Sequence, residues 1–73
     1  MALPTPPLWP GRDGAPIACR EKLTTLAENH AELTAIMRDA YEDAVLMGVA
    51  DGFFRTLLHA MVDSLESPRR DAP

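Results

Sequence analysis

The strongest constraint on the fold is a series of residues spaced alternately three and four positions apart. A 3.6-residue helical repeat brings such positions onto one side, so the spacing predicts one long amphipathic helix. Heptad spacing kept for more than three repeats is also typical of helices that pair with another helix. The series is apolar except for one histidine: Leu23, Leu26, His30, Leu33, Met37, Ala40, Ala44 and Met47.

Turn-forming residues divide the rest of the chain. Gly48 favours the end of the first helix, because glycine adopts the left-handed conformation found just past helix C-termini. Asp51 is a suitable N-cap for a second helix, and Ser67-Pro68 ends it, since the residue before proline avoids helical backbone. We therefore predict helices over residues 18–47 and 52–66. The short connection between them favours an antiparallel helical hairpin of all-α class.

Proline excludes a helix or a central strand from the N-terminal arm, residues 1–16, which holds five of the seven prolines. We expect the arm to be extended or disordered, followed by the hairpin over residues 17–67 and a disordered tail over 68–73. The arm nevertheless contains Trp9, the only tryptophan. Three alternatives follow: the arm folds back on the hairpin, it docks on a partner, or it is loose.

The two predicted helices differ in length. The first would extend roughly 45 Å and the second about half of that. A second helix folded back from Gly48 would reach only to about Leu33, which leaves Leu23, Leu26 and His30 uncovered. Exposed apolar stripes of this kind attract partners. We expect a helical bundle formed with a second copy or another helical protein, and an interface of Leu23, Leu26, His30, Leu33 and Met37, with Trp9 as possible cover.

The size and charge of the chain argue against several classes of protein function. A chain of 73 residues is one domain at most, and its single cysteine allows no internal disulfide. Residues 20–66 carry four basic and nine acidic side chains, so this segment has a net charge of −5. Such an acidic body opposes nucleic-acid binding through phosphates. The sequence has no secretory signal or apolar membrane span, and we expect a cytoplasmic protein with no membrane partner.

Catalytic patterns are lacking in the sequence. No nucleophile stands at a recognisable spacing from a base, and there is no glycine-rich phosphate loop. His59 and Asp63 share a helix face, but two ligands do not make a metal site. We therefore expect no enzyme activity, no cofactor and no metal, and predict a small regulatory or accessory interaction module.

A helix-turn-helix regulator is the alternative function. Ala44, Gly48 and Phe54 approximate the spacing of that motif, and residues 51–59 would form the recognition helix. Only Arg55, Thr56 and His59 could then contact bases. The acidic side chains before the turn would face the phosphates, so the electrostatics oppose this alternative.

Overall fold

The computed structural model describes residues 8–69 and contains two α-helices in this range. Helix α1 spans Arg20–Leu46 and helix α2 spans Asp51–Asp63. The predicted all-α helical hairpin is therefore confirmed, with a non-helical segment before the first helix. Within residues 8–69, neither helix combines the length and apolar composition needed to cross a membrane.

The helix ends differ from the prediction by one to three residues. Helix α1 begins at Arg20 rather than residue 18, because the N–H of Ile17 donates to the carbonyl of Trp9 and holds this segment out of the helix. Helix α2 ends at Asp63 rather than residue 66. There the Ser64 hydroxyl donates to the carbonyl of Met61 at 2.7 Å, which satisfies a carbonyl of the last turn.

Gly48 ends α1 as expected. Its φ is +101°, in the left-handed region. The N–H of Val49 donates to the carbonyl of Ala44 at 2.9 Å, and the N–H of Gly48 donates to that of Val45 at 3.1 Å. These two bonds are the Schellman arrangement, which satisfies carbonyls that a helix end would leave unpaired.

The expectation that Asp51 caps α2 is wrong. Asp51 is the first residue of α2, and the N-cap position belongs to Ala50, whose side chain makes no capping bond. The carboxylate of Asp51 instead accepts a hydrogen bond from the hydroxyl of Tyr41 at 3.2 Å. The acidic side chain still lies in the first turn, where it complements the positive end of the helix dipole.

The chain divides into two compact units, Met1–Asp39 and Ala40–Pro73. The described part of the first unit is a turn before α1 and the larger part of that helix. The second unit holds the end of α1, the connecting turn and α2. No residue between 8 and 69 is buried, and the best-covered side chains are only half-buried.

Candidate functional site

A hydrogen-bonded turn precedes α1 in the first unit. The N–H of Ile17 donates to the carbonyl of Trp9 at 2.7 Å, and the N–H of Gly11 donates to that of Ala15 at 2.6 Å. At the tip, the Asp13 carboxylate accepts the N–H of Ala15 at 3.0 Å. This side-chain bond is an Asx turn, for which aspartate is well suited. The described part of the arm is therefore closed on itself.

The turn places Trp9 against α1. The rings of Trp9 and His30 meet edge to face, with centroids 6.2 Å apart and planes at 79°. Beside Trp9 lies an open groove, the Trp9 groove, whose floor is built mainly from small side chains of α1. Its lining consists of Trp9, Ala27, His30, Ala31, Thr34, Ala35 and Arg38.

The six predicted interface residues have different environments. Five of them are half-buried: Trp9, Leu23, Leu26, His30 and Met37. Leu33 is 59% exposed. The turn brings Trp9 to His30, while Leu26 shares a second groove with Ile17. Whether a partner contacts these residues stays a prediction.

An exposed apolar patch lies on α1 of the first unit. Leu33 is 59% and Ile36 is 66% exposed. Residues three apart are neighbours on a helix surface, so the two side chains form one patch, which we call the α1 patch. The heptad series contains Leu33 but not Ile36. In the sequence, the signal for Ile36 was that it is a large apolar residue three positions after Leu33.

Three aromatic and charged contacts surround Tyr41 in the second unit. The ring of Phe54 lies 5.7 Å from that of Tyr41, centroid to centroid. The guanidinium of Arg55 stands 5.1 Å from the centre of the Tyr41 ring, within the range of a cation–π interaction. With the hydrogen bond to Asp51, Tyr41 thus fixes the first turn of α2. Sequence spacing gave no signal for these contacts.

A second exposed apolar surface lies on α2. Phe53 is 63%, Leu57 42% and Met61 55% exposed. Their spacing of four residues aligns them along one side of the helix, and we call them the α2 row. Half-buried Phe54 and Leu58 lie beside this row, three residues before Leu57 and Met61 respectively.

Between residues 8 and 69, two kinds of group are relevant to chemistry, a reactive thiol and possible metal ligands. The pKa of the exposed Cys19 thiol lies below its usual value, chiefly because the backbone N–H of Lys22 hydrogen-bonds to the sulfur. Cys19 directly precedes α1, at the position from which a side chain can accept hydrogen bonds from the N–H groups of the first turn. Between residues 8 and 69 no three His, Cys, Asp or Glu side chains are grouped closely enough to hold a metal ion.

Known proteins give no further guide to the site. Comparison of the chain with protein-family models, with curated proteins and with solved structures found no match.

Proposed function

We propose that the protein is a small, non-catalytic helical module that acts by packing its exposed apolar side chains against helices of a second copy or of another helical protein. One observation carries this proposal. Within residues 8–69 no side chain is buried, while large apolar side chains stand exposed on both helices.

The energetics of burial support a partner. Removing a large aliphatic side chain from water contributes about 1.5–3 kcal/mol when burial is complete. In this chain the side chains of the α2 row keep between 42% and 63% of their surface in water. A domain of this size is only marginally stable unless a disulfide, a bound metal or association with another chain stabilises it. Contact with another helix would supply the missing burial.

The two apolar surfaces suit helix pairing. In both, neighbouring side chains are three or four residues apart, which is the spacing that fits into the surface of a facing helix. The half-buried Leu23, Leu26, His30 and Met37, with Trp9, extend the proposed interface along the first unit. In this proposal they support the contact, and exposed Leu33 takes part in it directly.

Sedimentation equilibrium of the full chain at micromolar concentration tests the proposal. Self-association would give a mass above the 8.0 kDa of one chain and a helical content that rises with concentration. The double substitution Phe53→Ser and Leu57→Ser should reduce the mass to that of a monomer. Val62→Ser is the matched control, because Val62 is 64% exposed on the same helix but lies outside the α2 row.

The remaining outcomes separate the alternatives. A monomer that lacks a cooperative unfolding transition supports a subunit of a larger protein, whereas a monomer that unfolds cooperatively contradicts the proposal. The helix-turn-helix alternative predicts a gel shift with generic duplex DNA at low salt, where non-specific binding is strongest. Such a shift would favour a nucleic-acid-binding regulator instead.

A further inference from the structure

The α1 patch has a distinct electrostatic setting. Glu32 lies four residues before Ile36 and Asp39 lies three after it, so both carboxylates are its neighbours on the helix surface. Glu28 continues this line one turn earlier. All three acidic side chains are exposed, and we call them the acidic row. The patch is therefore an apolar strip with a negatively charged border.

The two basic side chains of α1 nearest in sequence to this strip do not lie along its border. Arg38 lines the Trp9 groove, away from Ile36, and Lys22 lies more than two turns before Leu33. Within residues 8–69, the structure gives none of the three carboxylates an ion pair. Any helix that covers the patch must therefore accommodate three negative charges along one edge.

A second copy fits this edge poorly. A two-fold symmetric pair brings the same surface of both chains together. In an antiparallel helix pair equivalent edges face each other, so the acidic row would meet its own copy, and like charges at an interface suppress pairing. In a parallel pair the row would face the side of α1 that carries His30 and Met37, where Trp9 already lies.

We propose that the α1 patch, Leu33 and Ile36, is the docking site for a basic amphipathic helix of another protein, whose Lys or Arg residues pair with Glu28, Glu32 and Asp39. The inference rests on the proposed function and specifies the partner's chemistry. Apolar residues of the partner, three and four apart, cover the patch. Its positive flank lies along the acidic row and sets the orientation, since charge complementarity gives specificity and speeds encounter.

Calorimetric titration with designed helical peptides tests this inference. One peptide carries a leucine stripe with lysines along one flank, and a matched peptide has glutamates in place of the lysines. The full chain should bind the lysine peptide and not the glutamate peptide. Affinity should fall as salt is raised, because exposed charges are screened. Amide NMR shifts should be centred on Leu33 and Ile36.

Substitutions on the chain separate the apolar from the charged contribution. Ile36→Ser should weaken binding of the lysine peptide by roughly tenfold, as expected when most of a large apolar side chain leaves the contact. Val62→Ser, at a site of similar exposure on α2, should have no effect. Glu32→Gln should weaken binding about two- to fivefold at low salt, the range for an exposed ion pair. Glu66→Gln makes the same charge change outside both helices and should leave affinity unchanged.

The results distinguish this inference from the proposed function. The proposed docking site would be overturned if both peptides bind equally well. It would also be overturned if Glu32→Gln and Ile36→Ser leave the affinity for the lysine peptide unchanged. Self-association through the α2 row would still stand in that case. A cooperatively folded monomer would overturn the proposed function, and one that also binds neither peptide would overturn both proposals. Circular dichroism of each variant confirms that helical content is retained, which is expected because the substituted residues are exposed.

Discussion

Trp9 and His30 are 21 positions apart in the sequence, yet their rings meet edge to face with centroids 6.2 Å apart. This pair holds the turn before α1 against the helix. The backbone bond between Ile17 and Trp9 sets the position of the indole. The first unit thus depends on a short, hydrogen-bonded turn that delivers one aromatic side chain to α1.

Trp9→Ala should release this turn from α1. An edge-to-face aromatic pair contributes about 0.5–1.5 kcal/mol beyond the burial of its area. Trypsin cleavage after Arg12, in the turn, should therefore become faster by roughly three- to tenfold, because cleavage follows local opening. Leu8→Ala is the control, since Leu8 is 61% exposed and should leave the cleavage rate unchanged. Equal acceleration by both variants would show that Trp9 does not hold the turn.

Tyr41 should contribute to the second unit more through its ring than through its hydroxyl. Tyr41→Phe removes only the 3.2 Å bond to Asp51, worth about 0.5–1 kcal/mol for an exposed hydrogen bond. Tyr41→Leu also removes the contacts with Phe54 and Arg55, worth about a further 1 kcal/mol. Urea denaturation of the associated protein, at one fixed protein concentration, measures both. A phenylalanine variant as unstable as the leucine variant would contradict this division.

Two glycines should respond in opposite directions to alanine. Gly48 has a φ of +101°, so Gly48→Ala should lower the free energy of unfolding by about 1–2 kcal/mol. Gly52 lies inside α2, and a Cβ added there meets no atom within 4 Å. Gly52→Ala should stabilise the helix by about 0.5–1 kcal/mol. The same urea experiment tests both, and a Gly48→Ala variant as stable as the parent would argue against the left-handed turn.

Cys19 should titrate at a lower pH in the folded chain than in the unfolded one. The N–H of Lys22 stabilises the thiolate, so the pKa of the thiol is depressed on folding. The resulting stability is present above the unfolded pKa and is lost as pH falls through the folded pKa. Iodoacetamide alkylation rates, measured against pH with and without urea, should give a lower midpoint without urea. Coincident midpoints would exclude the bond to Lys22.

The sequence predicted the helices because their signals are local. Alternating spacing of apolar residues identified α1, and Gly48 placed its end to within one residue, since left-handed glycine is favoured there. The start of α1 was less predictable. It depends on the bond between Ile17 and Trp9, which joins residues eight apart in a proline-rich segment.

Contacts between distant residues were not predictable from spacing. Asp51 looked like an N-cap because aspartate favours that position, but its carboxylate bonds to Tyr41 instead. The cation–π contact between Arg55 and Tyr41 likewise depends on the direction that the connecting turn gives to α2. For the candidate site, the heptad series included Leu33, while the similar exposure of Ile36 is a property of the structure that the spacing did not give.

Amide hydrogen exchange of the full chain, at a dilution where sedimentation shows a monomer, tests the central claim most directly. Exchange protection beyond helix fraying requires cooperative burial, and no residue between 8 and 69 is buried in the isolated chain. We predict weak protection in both helices for the monomer, with strong protection when the apolar surfaces are covered by a partner. A set of α1 and α2 amides that share one large protection factor in the monomer would contradict the account.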